Sequence, residues 1–184
     1  DDTDDCNPYG PGTNTAVLAA NVLPAAGTPL NPDADPAVTT DDYLAPYVLR
    51  DFGTTPEDPT DEPEFMVGFI GLDIKQKTQA SSRPFDTTEF LDELETAQQY
   101  INELAADGIH NIVVVSHYGY QNDLALAAQL TGVDAIIGGD SHTLLGDPAE
   151  FGAFLPETEG AYATVVDNDL GPEAAEGTEA VAER

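Results

Sequence analysis

Two histidines and a carboxylate follow two predicted strands of this sequence and could bind a metal ion. His117 comes directly after the apolar run at 111–116 (NIVVVS), and Asp140 and His142 follow the next such run, at 133–137 (VDAII). Imidazole nitrogen and carboxylate oxygen are ligands that suit zinc, manganese or iron. The glycines before Asp140 allow a tight turn. We therefore take His117, Asp140 and His142 as candidate metal ligands.

A structural role stays open for each of the three. A lone histidine after a strand is more often a structural residue than a ligand. The second possibility for Asp140 is that it orients His117 or His142 without binding the metal itself. Ser116 has no convincing partners for a catalytic triad, so a serine hydrolase is not predicted.

The candidates depend on strands and helices that alternate along the chain, which indicates an α/β fold. Asp86 and Glu89 have the spacing of a capping box at a helix start. The apolar character of the strands predicts burial on both faces of one sheet. Polar residues just past the carboxyl ends of such strands tend to form the site. The predicted strands are 65–72, 111–116 and 133–137, and the predicted helices are 86–107 and 123–131.

The rest of the chain is more polar and divides it into three parts. Residues 1–14 are predicted to be an acidic loop or frayed terminus, and 15–168 to be the domain, with a short strand at 15–21. Residues 169–184 are predicted to be a solvated acidic tail.

The composition is extremely acidic for a chain long enough to form one domain. The 184 residues include 35 acidic and 5 basic ones, for a formal charge of −30, and 41% are hydrophobic. The hydrophobic content excludes a disordered polyanion, and the scarcity of basic residues excludes nucleic-acid binding. Such self-repulsion is relieved by salt, which favours a halophilic or marine source. The alternative is an ordinary acidic secreted protein, and both fit a secreted, periplasmic or extracellular location.

Cys6 is the only cysteine, so an internal disulfide is excluded. No stretch of about 18 apolar residues is present, so no membrane span is predicted. The chain starts at Asp1 without a methionine. We therefore expect either a removed presequence or a longer parent chain.

The stretch INELAADGIHNIVVVSHYGYQNDLALAAQLTGVDAIIGGDSHTLLG resembles the end of the catalytic domain of 5′-nucleotidases. These enzymes are calcineurin-like metallophosphoesterases. The family shows a strand that ends in S-H-x-G, followed by D-x-I-I-G-G-H-S-H-T. The segments VGFIGL and LAANV, further upstream, are similar to the family as well.

The resemblance implies a fold and a set of site residues. The fold is a β-sandwich flanked by helices (αββα), of which this chain would be the second half. His117 matches the metal-ligand histidine after the strand, and His142 matches the second histidine of the closing pair. Asp140 stands where the family has the first histidine of that pair, which is a departure. As a ligand, a carboxylate adds negative charge to the site.

A second departure concerns the family's early blocks, D-x-H, G-D and G-N-H-[DE], none of which occurs before Thr15. The resemblance thus implies a phosphate monoester hydrolase, acting on a nucleotide or similar ester with two divalent ions such as zinc or manganese. This chain would supply only part of that site, with the rest on a missing N-terminal segment or another chain. The alternative is a non-catalytic, degenerate domain that serves as a structural or assembly subunit outside the cell.

Overall fold

The computed structural model describes residues 16–28, 30–31, 44–53, 65–147 and 158–168, together with the backbone of 178–181. The predicted N-terminal segment 1–14 lies outside this part of the chain. So does most of the predicted tail at 169–184.

Eight strands and three α-helices make up the described part of the chain, with one π-helical turn at Thr78–Ser82. The strands are β1 (Val22–Leu23), β2 (Tyr47–Asp51), β3 (Met66–Asp73), β4 (Glu89–Phe90), β5 (Asn111–His117), β6 (Ala135–Ile137), β7 (Thr164–Val166) and β8 (Thr178–Val181). The helices are α1 (Lys75–Lys77), α2 (Glu93–Ala106) and α3 (Tyr120–Ala127).

Six of the strands form one sheet, in the order β2-β3-β5-β6-β8-β7. The pairs β3–β5, β5–β6 and β6–β8 are parallel, and the two edge strands run antiparallel to their neighbours. Strands β1 and β4 form a separate two-stranded ribbon. The predicted α/β class and the placement of the three predicted strands in one sheet are confirmed.

The core lies on the face of the sheet that helices α2 and α3 cover. Side chains of β3, β5 and β6 on this face pack with apolar side chains of the two helices. Fully buried members of this cluster are Ile70, Ile101, Leu104, Ile112, Val114, Leu126 and Ile136. Alternation along the strands therefore places one apolar row in the core.

The opposite face of the sheet corrects the prediction of burial on both faces. Val115 pairs in register with Gly71 on one side and with Ile137 on the other, so the three share this face. Val115 and Ile137 are each 40% exposed. A continuous apolar run cannot tell whether both faces are covered, because it carries no alternation to distinguish them.

Helix α2 starts at Glu93, seven residues after the predicted start at Asp86. The Asp92 side chain caps it by accepting a hydrogen bond from the Glu95 backbone N–H at 3.0 Å. Glu89 belongs instead to strand β4, which pairs with β1. Acidic residues three apart occur three times in this stretch, at 86/89, 89/92 and 92/95, so their spacing alone does not fix where the helix begins.

Two terminal predictions also change. The stretch 16–21 is not a strand, although Leu18 forms an isolated bridge with Ala45. Within the predicted tail, Thr178–Val181 forms strand β8 between β6 and β7. Only long-range pairing identifies this short segment as a strand, because its local sequence is rich in alanine and glutamate.

Gly71 lets the segment before β1 lie directly against the sheet. The Ala20 backbone N–H donates to the Gly71 carbonyl at 2.8 Å. A Cβ added at Gly71 would lie 2.4 Å from Leu18 Cβ and 2.5 Å from the Leu18 carbonyl oxygen. Any side chain here would displace backbone, which is costly in a packed region.

We predict that Gly71→Ala lowers the free energy of unfolding by about 1–3 kcal/mol, the usual cost of overpacking. Gly68→Ala in the same strand is the matched control. Its added Cβ would meet the end of the Leu104 side chain, which can shift more easily than backbone. Urea unfolding of both variants measures the difference, and equal losses would contradict the close approach of Leu18.

Candidate functional site

Parallel pairing of β3 with β5 brings two polar side chains together at the carboxyl edge of the sheet. Asp73 is the last residue of β3 and is the register partner of His117, the last residue of β5. His117 Nδ1 lies 3.7 Å from Asp73 Oδ1. The ring is exposed, with 59% of the His117 side chain accessible. This separation is longer than a hydrogen bond, so the contact is one of charge and proximity.

The loop after β6 carries Asp140 and His142 on strained backbone. Both residues have positive φ angles, 82° for Asp140 and 55° for His142. Residues other than glycine rarely adopt this region of backbone conformation. Between them, the Ser141 hydroxyl accepts a hydrogen bond from the Tyr120 N–H at 3.1 Å and bonds Thr143 Oγ1 at 2.8 Å. Strain of this kind occurs where surrounding contacts hold the backbone, as Ser141 does at the start of α3.

Gly139 brings this loop close to His117. A Cβ added at Gly139 would lie 3.0 Å from the Ser116 carbonyl oxygen and 3.5 Å from His117 Cδ2. The glycine therefore allows the loop to pass beside the end of β5 with no side chain between them.

Asp140 approaches the other ring nitrogen of His117 and also pairs with a lysine. Its Oδ1 lies 3.7 Å from His117 Nε2 and forms an ion pair with Lys77 Nζ. The hydrogen bond from Lys77 lowers the pKa of Asp140, and the positive charges of Lys77, His117 and His142 lower it further, against an opposing effect of burial. The Asp140 side chain is 13% exposed and that of Lys77 is 52% exposed.

The three sequence candidates thus differ in how they are placed. His117 and Asp140 are brought within 3.7 Å of each other. His142 is exposed and lies near enough to Asp140 to influence its pKa, as the weakest of the named charges. Their roles as metal ligands remain a prediction.

The described residues do not provide a complete metal site. Within this part of the chain, no group of three or more His, Cys, Asp or Glu side chains is arranged to hold a metal ion. Asp73 and Asp140 flank different nitrogens of His117, so in this arrangement the three side chains do not surround a common position. Catalytic zinc sites use three protein ligands, and His117 with Asp140 falls short of that number.

Asn21 holds the end of β3 and therefore the position of Asp73. The side chain of Asn21 is fully buried. Its amide nitrogen donates to the Asp73 carbonyl at 2.8 Å, and its amide oxygen accepts from the Asp73 N–H at 2.9 Å. Asn21 thus pairs with the strand edge as a neighbouring backbone would.

Ser116 and Asp123 hold the turn after His117 in a similar way. The Ser116 hydroxyl donates to Asp123 Oδ1 at 2.6 Å and accepts from the Tyr118 N–H at 3.0 Å. Asp123 is buried, and a Cβ at Gly138 would lie 2.5 Å from its Oδ2. The hydroxyl therefore has a structural role, consistent with the sequence argument against a serine nucleophile.

Sequence reasoning missed Asp73, Lys77 and Asn21. Asp73 follows the apolar run VGFIGL, so the strand-end rule that selects His117 would select it too. Lys77 has no local signal beyond its being one of five basic residues. Asn21 stands out only as part of the LAANV segment that is similar to the family, and its role depends on a partner 52 residues away.

We predict that Asn21→Ala lowers the free energy of unfolding by about 2–4 kcal/mol, because it leaves two buried backbone groups without partners. Asn111→Ala is the control, since that amide makes a single bond to the Met66 carbonyl at the opposite end of β3. Urea unfolding measures stability, and NMR shifts at Asp73 report position. A loss no larger than that of the control would contradict the role of Asn21.

We predict that Lys77→Met raises the pKa of Asp140 toward its ordinary value. Because folding lowers this pKa, the pair stabilises the fold above the ordinary carboxyl pKa and loses that effect as the pH falls through the folded value. Carbon-13 titration of the carboxyl groups measures the shift, with Lys75→Met as the control for charge alone. An unchanged pKa in Lys77→Met would show that the ion pair does not form in solution.

Similar proteins match between 43% and 86% of this chain, and in each case only a small part of their own length. No family model matches it. A snake venom 5′-nucleotidase of Crotalus adamanteus is 30% identical over 163 residues, which is 86% of this chain and 23% of the relative. Within the described residues, no helix has the length and apolar character needed to cross a membrane.

Solved structures agree with this match. The NAD nucleotidase of Haemophilus influenzae superposes with a TM-score of 0.72 at 28% identity, over 92% of this chain and 28% of that one. The 5′-nucleotidase precursor of Thermus thermophilus gives 0.67 at 37% identity, over 91% and 27%. A calcineurin-like phosphoesterase of Bacillus subtilis, at 24% identity and 0.53, shares the fold. This chain is therefore a relative of the 5′-nucleotidases and calcineurin-like phosphoesterases, and it matches about a quarter of the length of these three nucleotidases.

Proposed function

We propose that this chain forms part of a metal-dependent phosphate monoester hydrolase of the 5′-nucleotidase kind. The observation that carries the proposal is the similarity to a 5′-nucleotidase over 86% of the chain. The substrate would be a nucleotide or another phosphate monoester, and the site would lie at the carboxyl edge of the sheet. His117, Asp140 and His142 would face the metal ions as ligands.

Two divalent ions in such a site lower the pKa of a bound water and neutralise charge on the phosphoryl oxygens. The described residues do not fit two ions, so they account by themselves for no step of the hydrolysis. Its own contribution is positional: Asn21 fixes the end of β3, and Gly139 lets the Asp140 loop approach His117.

We also propose that the six-stranded sheet is one layer of a two-sheet sandwich flanked by helices. The support is the face opposite the helices, which is only partly covered: the half-exposed Val115 and Ile137 lie on it beside Val113 and Ala135. Parallel strands are almost always covered on both faces. A location outside the cytoplasm and a high-salt environment belong to the same proposal, and the charge of −30 is their support.

A second candidate is a non-catalytic domain that keeps the fold as a structural or assembly subunit. Two observations favour it: the incomplete ligand set of the described residues and the lysine paired with Asp140.

A chimera separates the two candidates. In this chimera, our chain replaces the matching segment of the Thermus thermophilus 5′-nucleotidase. We predict that the chimera hydrolyses AMP when manganese is added. His117→Ala in the chimera should reduce turnover at least about a hundredfold, in line with the loss of groups that hold metals. The isolated 184-residue chain should show little or no turnover, because the ligands among its described residues are too few for two ions.

The controls for the chimera are the parent enzyme and His110→Ala, which changes an exposed histidine outside the candidate site. A chimera that folds, by circular dichroism and cooperative unfolding, yet does not hydrolyse AMP would favour the non-catalytic domain. Robust turnover by the isolated chain, lost in His117→Ala, would show that it completes a site by itself or by dimerising.

A further inference from the structure

The ion pair between Lys77 and Asp140 involves two unusual residues of this chain. Asp140 stands where the family has a histidine, and Lys77 is one of only two lysines in a chain of charge −30. Lys77 ends α1, the short helix that begins two residues after β3. The Lys77 side chain therefore reaches from the segment after β3 to the loop after β6.

The ammonium contacts the same Asp140 carboxylate oxygen that approaches His117. Asp140 Oδ1 is the oxygen that Lys77 contacts, and it is also the one 3.7 Å from His117 Nε2. An ammonium and a divalent ion on the same oxygen would repel each other at close range. A metal that binds His117 and this oxygen of Asp140 therefore competes with the Lys77 ammonium for it.

The pairing also explains how a carboxylate is tolerated at this position. Asp140 is half-buried, and a carboxylate that loses part of its contact with water is stabilised by a positively charged partner. Asp73 adds further negative charge on the other side of His117. Lys77 supplies a permanent positive charge that stabilises Asp140 without any metal.

We infer that Lys77 is a tethered cation that competes with divalent metal for the Asp140 carboxylate and so weakens metal binding at His117. The inference rests on the proposed function only in treating His117 and Asp140 as metal-facing. It concerns affinity, not turnover.

The test is the affinity of the whole chain for Mn²⁺ alone, measured by isothermal titration calorimetry in high salt. High salt suppresses loose binding of cations to the acidic surface. We expect Lys77→Met to bind Mn²⁺ about tenfold more tightly than the wild type, as removal of a competing charge-assisted contact would allow. Lys77→Gln should behave the same way, and it serves if the methionine variant does not fold.

Lys75→Met is the matched control, because it removes the same charge two residues away. Among the ion pairs of the described residues, none includes Lys75. Its effect on the affinity for Mn²⁺ should stay below about threefold, since it changes the net charge near the site without removing a direct contact to Asp140. Adding His117→Ala to Lys77→Met should abolish the gain, which ties the binding to this site.

Two outcomes would overturn the inference in different ways. If Lys75→Met and Lys77→Met tighten binding equally, or if the wild type already binds as tightly as Lys77→Met through His117, the competition does not exist, while the proposed metal site stands. If no variant, including Asp140→His, binds Mn²⁺ in a His117-dependent way, the metal-facing role of these residues fails, and the inference fails with it.

Discussion

The parallel pairing of β3 with β5 is the constraint on which the candidate site depends. Because parallel strands end at the same edge, their register places Asp73 beside His117, with 3.7 Å between Asp73 Oδ1 and His117 Nδ1. Hydrogen bonds hold the ends of both strands. Asn21 pairs with the backbone of Asp73 at the end of β3, and Ser116, which precedes His117 in β5, bonds Asp123. A slip of one residue between the two strands would place these two side chains on opposite faces of the sheet.

Charge is the second constraint, and it acts locally as well as over the whole chain. A net charge of −30 disfavours every additional carboxylate placed near others. At the carboxyl edge, Asp73 and Asp140 both approach His117, and the chain places one of its few cations there. Lys77 thereby lowers the pKa of Asp140, so that the carboxylate stays ionised in a half-buried position.

The parts of the fold that sequence could predict are those with strong local signals. The runs at 65–72, 111–116 and 133–137 are apolar enough to be recognised as strands, and the positions after two of them pointed to His117 and Asp140. The start of α2, strand β8 and the exposed face were missed because long-range pairing decides them. The Lys77–Asp140 pair spans 63 residues, and no local pattern predicts such a contact.

The incomplete site and the partly exposed face of the sheet are on the same side of the structure. Along β5, Val113, Val115 and His117 alternate onto one face, and only the last of them is polar. An element that covered Val115 and Ile137 would therefore also approach His117. Such an element would bury the apolar face and bring further ligands to His117 in the same binding step. Hydrophobic contact would supply the binding free energy, and the polar edge would supply the metal ligands. A partner that covers the face but brings no ligands would favour the non-catalytic domain, and one that brings carboxylates or histidines would favour the hydrolase.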